Sequence, residues 1–148
     1  MIRLLGMVIL LLVTFSVTAG DRLPLQVEVE SLTAGARCGD TQMGVRWLSH
    51  GDIYQRFADD DHYLLLVSMG QQRSAGYSLT LLSTTAQLID GVVSLQVAWN
   101  SPQADMMVAQ VVTEPCLVLV LKRQAYEGIQ VVDSHGQLKM TLSRSSPE

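Results

Sequence analysis

The side chains best suited to metal binding or proton transfer in this sequence are its three histidines, His50, His62 and His135. No two of them share a spacing that would bring two imidazoles onto one metal ion. His62 closes the acidic run of residues 59–62, which can be compared with a calcium loop. That run lacks the alternating oxygen donors, the central glycine and the terminal glutamate of an EF-hand loop. The sequence therefore predicts no metal and no cofactor, and residues 59–62 are interpreted as a solvated connection from a helix to a strand.

The adjacent residues Asp133, Ser134 and His135 contain the three residue types of a serine hydrolase triad. Adjacent side chains on a tight turn point apart, whereas a triad needs its members to converge. The chain also lacks the nucleophile elbow, the zinc-protease helix motif, the P-loop and the dinucleotide-binding glycine pattern. We therefore expect no catalytic residues. An enzyme would require a pocket that gathers residues 59–62 with other titratable groups.

The first twenty residues have the order of regions found in a secretory signal peptide. Arg3 is followed by an apolar run over residues 4–15, and the small residues Val17 and Ala19 precede a cut after Ala19. A retained membrane anchor is the alternative, but the run is shorter than the roughly 20 residues that a span requires. No cysteine follows the cut, so a lipobox is not supported. We predict a signal peptide over residues 1–19, a single β-rich domain over 20–142 and a disordered tail over 143–148.

Removal of the signal peptide makes the chain more acidic. It lowers the Lys and Arg count from 10 to 9 against 14 Asp and Glu, so the net charge changes from −4 to −5. Without a basic run, such a chain is a poor partner for nucleic acid or an anionic membrane. We expect a periplasmic or secreted protein with no stable membrane anchor after removal of the signal.

Two cysteines, Cys38 and Cys116, permit only one intramolecular pairing. In an oxidising compartment this predicts a disulfide. Its sequence separation of 78 residues corresponds to about 4 kcal/mol in the chain-entropy model. The alternative is that Cys116, which lies in an apolar run, is a buried thiol. No neighbouring pattern predicts a reactive thiolate.

Most of the mature sequence alternates apolar and polar residues, which is typical of strands with one buried face. The pattern covers residues 24–30, 77–82, 92–99 and 138–142, with inward side chains predicted at Leu25, Val27, Val29, Tyr77, Leu79, Leu81, Val93, Leu95, Val97, Trp99, Leu138, Met140 and Leu142. Residues 63–69 and 116–121 are apolar at nearly every position, which predicts central strands covered on both faces. Turn residues at 90–91 and 134–136 predict hairpins. We therefore predict an all-β (mainly β) fold, an antiparallel β-sandwich or open barrel with one short helix.

The short helix is predicted in the sequence LSHGDIYQRFA. Ser49 as N-cap and Asp52 three residues later form a capping box, with Leu48 and Ile53 as the staple pair. Ile53 and Phe57 share one face, and this narrow apolar stripe requires the helix to lie on the sheet.

Residues 70–78, GQQRSAGYS, are similar to the signature of the C-terminal domain of PrcB-family proteins, subunits associated with secreted protease complexes. The family pattern is a Gly-Gln start, a Pro-Thr-Gly-Gly-Tyr-Ser turn into a strand, a later strand that ends near a proline, and Thr-x-Pro before an apolar strand. The matching residues are Gly70, Gln71, Gly76, Tyr77 and Ser78, with Ser74 at the usual threonine, and residues 97–102 and 113–121 supply the later parts. The resemblance covers residues 43–135. It implies a non-catalytic accessory or interaction domain with a protein partner, such as a secreted protease.

Two residues depart from the family pattern. Arg73 stands at the proline, and Ala75 replaces the first glycine of the pair. If the glycine pair serves a particular backbone turn, Ala75 must adopt an ordinary conformation and leave any positive φ to Gly76.

The same turn has a weaker similarity to a loop of chagasin-like cysteine-protease inhibitors, which insert loops into a protease cleft. In that alternative the loops 70–76, 101–107 and 113–115 would converge on one edge of the sheet. The candidate binding residues are Gln71, Arg73, Ser74, Gly76, Tyr77, Met106 and Met107; the two methionines would supply adaptable apolar contact area if exposed. A further interpretation is that residues 70–76 only turn the chain and contact water.

Overall fold

The computed structural model describes residues 24–35 and 37–143, and in this part of the chain it contains nine strands and one short helix. The strands are β1 (Leu25–Gly35), β2 (Met43–Leu48), β3 (His62–Met69), β4 (Ser78–Leu81), β5 (Thr85–Ile89), β6 (Val92–Asn100), β7 (Cys116–Lys122), β8 (Gly128–Val132) and β9 (Leu138–Ser143), and the helix is α1 (Asp52–Phe57). The predicted signal peptide and residues 144–148 of the predicted tail lie outside the described residues, whereas Ser143, the first residue of that predicted tail, ends β9. Within the described ranges, no helix is long and apolar enough to span a membrane.

All the strands belong to one sheet in the order β2-β3-β7-β1-β5-β6-β8-β9, with β4 paired to β6. The end strands β2 and β9 approach within 8 Å between Cα atoms, so the sheet curves into a nearly closed barrel. This confirms the predicted all-β class with one short helix. Every pairing between these strands is antiparallel except that of β6 with β8, which the chain connects through β7.

The alternating runs form strands whose apolar side chains face the barrel interior. Along β6, the side chains of Val93, Leu95 and Val97 are buried, as the alternation predicted. Two predicted inward residues are exposed, Leu25 at 69% and Leu138 at 58%. Each is the first residue of its strand. The alternating sequence extends to this residue, but the packed core of the barrel does not reach it.

Strands β3 and β7 are covered on both faces, as their unbroken apolar sequences predicted. Leu65 and Leu119 point into the main core. On the outer face, Leu66 and Val118 form a second cluster. Ile53 of helix α1 packs against this outer cluster, together with Leu32, Cys38 and Leu48. The helix therefore lies on the sheet, as predicted.

The start of the helix differs from the prediction. Its N-cap is Gly51, with φ 98°, and no side chain caps the helix. Ser49 lies two residues upstream, where its hydroxyl is 3.2 Å from His50 Nδ1. The capping box is therefore wrong, because the glycine turn intervenes between Ser49 and the first helical residue, Asp52. Phe57 is 39% exposed at the end of the helix.

Both predicted hairpins are present. Asp90 and Gly91 have φ values of 49° and 79° between β5 and β6, as a tight hairpin turn requires. Gly136 has φ 78° between β8 and β9.

Candidate functional site

The candidate site lies where β3 ends and β7 begins; we refer to residues 70–77 and 101–115 together as the loop end. The β3–β7 ladder continues beyond the strands, since the Met69 N–H donates to the Pro115 carbonyl at 2.9 Å. Gln72 and Thr113 then exchange two backbone hydrogen bonds of 2.7 and 2.9 Å. The Thr113 hydroxyl also donates to the Ser74 carbonyl at 3.0 Å. These bonds hold residues 70–76 beside residues 113–115.

Gly76 brings the segment 101–112, which we name the methionine loop, against residues 70–76. Its φ is +94°, and a Cβ built there would lie 3.0 Å from Pro102 Cβ and 3.3 Å from Val108 Cγ1. The preceding residue, Ala75, has no positive φ, and its N–H donates to the Ala109 carbonyl at 2.9 Å. The division of roles between Ala75 and Gly76 is thus as predicted, and the loops 70–76, 101–107 and 113–115 converge at one end of the barrel.

The predicted binding residues differ in exposure. Gln71, Arg73 and Gly76 are exposed, whereas Ser74 and Tyr77 are half-buried, and Tyr77 packs against the main core. Met106 is 54% exposed and Met107 is 99% exposed. Among the described residues, the loop end therefore presents one cation without an ion pair, Arg73, and two exposed methionine side chains, Met106 and Met107.

The structure adds apolar residues that the sequence reasoning missed. Val111 and Val112 are 47% and 54% exposed at the end of the methionine loop. With Met106 and Met107 they form a set of four exposed apolar side chains within seven residues, which we name the apolar ridge. The available signal was the apolar density of residues 106–112, which lie in a segment bounded by Pro102 and Pro115.

Gly70 joins the loop end to the segment after β1. A Cβ at Gly70, where φ is +70°, would lie 2.7 Å from the backbone N of Met43. The Gln71 N–H donates to the Thr41 carbonyl at 3.1 Å. Only glycine permits this close approach. Met43, the partner of Met69 in the β2–β3 ladder, is itself 66% exposed.

The disulfide anchors that segment. Cys38 and Cys116 are bonded, with their Cα atoms 6.0 Å apart, which confirms the predicted pairing. The carboxylate of Asp40 forms an ion pair with Arg46 and accepts the Gln42 N–H at 3.2 Å. The segment after β1, which contacts Gln71 through Thr41, is therefore fixed by a covalent bond and by a half-buried ion pair.

The acidic run is a solvated turn before β3. Asp59 accepts backbone N–H bonds from Asp61 at 2.8 Å and His62 at 2.7 Å, and its carboxylate lies 2.9 Å from His62 Nδ1. The hydrogen bond with the His62 side chain is the largest cause that lowers the pKa of Asp59. In the described part of the chain, no three His, Cys, Asp or Glu residues are placed to hold a metal ion.

An open cleft of about 900 Å³ runs along β1 on the same side as His62. Its lining residues include Glu28, Glu30, Leu81, Thr84 and Lys122. Of residues 59–62, only His62 reaches this cleft. The cleft therefore does not gather the acidic run as the enzyme hypothesis would require.

Asp133 organises the β8–β9 turn. Its Oδ1 accepts the N–H groups of His135 and Gln137, both at 2.9 Å, and its Oδ2 lies 3.1 Å from Lys139 Nζ. The bond from Gln137 is the largest cause that lowers the pKa of Asp133. Ser134 Oγ lies 3.3 Å from His135 Nδ1. The carboxylate binds backbone N–H groups and a lysine, which is a turn-closing arrangement.

An aromatic cluster closes the other end of β3. Trp47 stacks on Tyr126 with ring centroids 6.0 Å apart, and Tyr63 lies 5.3 Å from Trp47. Burial raises the pKa of Tyr126, whose hydroxyl donates to the Lys122 carbonyl at 2.7 Å. Arg123 lies over the Tyr63 ring at 4.6 Å. This cluster packs the barrel interior and leaves the loop end as the exposed, irregular end.

Residues 63–122, from β3 to the end of β7, match the family model described as PrcB C-terminal. The matched segment contains both loops of the loop end and the strands that hold them. The resemblance to the PrcB family is thereby confirmed over these residues, and it supports a role related to a protease complex. No curated protein and no solved structure matches the chain.

Proposed function

We propose that this chain, whose residues 63–122 carry the PrcB C-terminal match, is an exported, non-catalytic accessory domain that binds a protease of a secreted complex. Its partner surface is the loop end, and the apolar ridge supplies the contact area. The acidic net charge and the separate positions of the three histidines support a binding role without catalysis.

One observation carries this proposal: a rigidly held loop pair presents apolar side chains to solvent. Backbone bonds at Gln72, Ala75 and Thr113 fix the loops to one another and to the barrel. Met107 nevertheless has 99% of its surface exposed, and Met106 has 54% exposed. Exposed apolar residues that cluster on a rigid support are typical of interaction sites, and methionine adapts to the shape of a partner.

Burial gives the size of the expected effect. Full burial of one large apolar side chain contributes about 1.5–3 kcal/mol, and each 1.4 kcal/mol corresponds to about a tenfold change in affinity. Truncation of both Met106 and Met107 should therefore weaken partner binding by at least tenfold.

The test is capture of a protease from periplasmic extract by the oxidised mature chain, with bound proteins identified by mass spectrometry. The site variant carries Met106→Ser and Met107→Ser. The matched control carries Ile89→Ser and Leu138→Ser, which remove two apolar side chains that are 53% and 58% exposed elsewhere on the barrel. Circular dichroism confirms that all three proteins fold.

We expect the wild type and the control to capture a protease or its propeptide, and the site variant to lose it. Equal capture by the site variant would reject the loop end as the partner surface. Capture of no protease by any of the three proteins would reject the protease-complex role.

A second candidate is direct inhibition of a protease by the loop end, as in chagasin-like inhibitors. The convergence of the loops 70–76, 101–107 and 113–115 at one end of the barrel favours this candidate. Titration of a papain-like and a subtilisin-like protease distinguishes the two functions. Inhibition at micromolar concentration that disappears in the Met106→Ser, Met107→Ser variant supports an inhibitor, whereas full protease activity with intact capture leaves the accessory role.

A further inference from the structure

Strand β1 changes partners halfway along its length. Residues 25–28 pair with β5 on one edge, and residues 29–35 pair with β7 on the other. The Val29 N–H donates to the Thr84 carbonyl at 2.8 Å, which is the last backbone bond toward β5. From residue 31 onward, no strand of the described chain pairs with that edge of β1, and β4 pairs only with β6. We name residues 31–35 on this side the free edge.

Four of the five residues of the free edge are small and exposed. Ser31, Thr33, Ala34 and Gly35 are all exposed, and a Cβ added at Gly35 would meet no atom within 4 Å. Soluble proteins protect exposed edges with charged residues, proline or bulges. The sequence SLTAG has no charge and no proline, and only the bulge between Ser31 and Thr33 interrupts it. The end strands β2 and β9 differ, because they lie against one another and carry charged residues.

The direction of the backbone groups follows from the register. Successive residues of a strand direct their N–H and C=O groups to opposite edges. The Val29 N–H points to β5, so the backbone N–H and C=O of Ser31, two residues later, point to the free edge. Ser31 and Ala34 face Leu119 and Leu117 of β7, which are two residues apart. Ala34 is therefore the next residue after Ser31 to direct its N–H and C=O to the free edge.

We propose that the free edge pairs with the free edge of a second copy of this chain, antiparallel about a two-fold axis. Ser31 of each copy then lies opposite Ala34 of the other, and both residues exchange N–H and C=O bonds. Of the free edge, Ser31 alone lines the cleft along β1, whose other lining residues include Leu81 and Thr84.

Charge complementarity selects a second copy as the occupant. Glu28 and Glu30 precede the free edge, and Arg37 follows it. Among the described residues none of these three side chains forms an ion pair. Antiparallel pairing brings the acidic end of one β1 beside the basic end of the other. Opposite charges brought together in this way favour association and fix the register.

Sedimentation velocity of the oxidised mature chain between low and high micromolar concentration tests the proposal. We expect a monomer–dimer equilibrium that weakens with added salt. Ala34→Pro removes the N–H that points to the free edge and leaves the bonds to β7 in place. It should raise the dimer dissociation constant at least tenfold, whereas Ala34→Ser should leave it nearly unchanged.

A charge exchange provides an independent test. Glu28→Arg and Arg37→Glu should each weaken the dimer, and their combination should restore it, because pairing of Ser31 with Ala34 places residue 28 of one copy opposite residue 37 of the other. A wild-type chain that sediments as a monomer at every concentration would overturn the proposal. A dimer unaffected by Ala34→Pro would overturn it as well. Loss of protease capture by Ala34→Pro in a monomeric chain would assign the edge to a different partner and reject self-pairing. The Met106→Ser, Met107→Ser variant should dimerise as the wild type does, so this test is separate from that of the loop end.

Discussion

Replacement of Gly76 by alanine tests whether the two loops of the loop end are packed together in solution. Two effects add at this position. An L-residue at positive φ costs roughly 1–2 kcal/mol. The new Cβ would also lie 3.0 Å from Pro102 Cβ and 3.3 Å from Val108 Cγ1. The proline ring cannot rotate away, and overpacking of this kind costs about 1–3 kcal/mol. We therefore expect Gly76→Ala to lower the free energy of unfolding by about 2–5 kcal/mol.

Gly136→Ala is the matched control, since Gly136 has φ +78° and no atom within 4 Å of an added Cβ. Gly136→Ala should lower the free energy of unfolding only by the cost of an L-residue at positive φ, about 1–2 kcal/mol. Urea unfolding followed by circular dichroism measures both variants against the wild type. A larger loss for Gly76→Ala supports the packed loop end. Equal losses in the two variants would show that Pro102 and Val108 do not pack against Gly76, and would refute the convergence of the loops.

Three further predictions concern stability. Replacement of Cys38 and Cys116 by alanine should lower the free energy of unfolding by about 4 kcal/mol in urea titrations. The reason is that the denatured chain regains loop entropy over a separation of 78 residues. If reductant did not change the stability of the wild type, this prediction would be contradicted. Asp133→Asn should lower the melting temperature at pH 7, and the difference should begin to shrink as the pH falls below about 4. The lowered pKa of Asp133 means that its stabilisation is present above the pKa of the unfolded chain and is lost as pH falls through the folded pKa; a difference independent of pH would refute it. Tyr126→Phe should lower the free energy of unfolding by about 1 kcal/mol at pH 7, because the hydrogen bond to the Lys122 carbonyl is lost, and this difference from the wild type should shrink above about pH 10. Burial raises the pKa of Tyr126, so the wild type loses stability as the pH rises through the folded pKa of this side chain. A difference in melting temperature between wild type and Tyr126→Phe that stays constant at alkaline pH would contradict this.

Strands with long alternating or unbroken apolar sequences were predictable because their pattern is local. β6 and β7 are the plainest cases, and each forms over nearly the predicted residues. Strands β2, β5 and β8 were missed. β5 and β8 have only five residues each, and β2 contains a glycine and an arginine. β5 and β8 form between two neighbouring strands, so their hydrogen bonds come from tertiary pairing and not from strand propensity.

The candidate site shows the same division. The exposed residues Gln71 and Arg73 and the positive φ of Gly76 were predictable, because turn residues and a single glycine act locally. The contact of Gly76 with Pro102 and Val108 was not, since these residues lie more than twenty positions apart. The exposure of Val111 and Val112 was missed for a related reason. An apolar pair in a sequence is ordinarily assigned to the core, and only the packed fold leaves it outside.

By itself the sequence determined the β class of the fold, the turns at glycine and the pairing of its two cysteines. Each of these depends on neighbouring residues or permits only one solution. The tertiary structure decided strand order, the convergence of the loops and the change of partners in β1 that leaves one edge of residues 31–35 without a paired strand. The physical reason is that backbone hydrogen bonds between strands are alike for any sequence. Which strands meet therefore depends on the packing of all the buried side chains together, and not on the pattern within one strand.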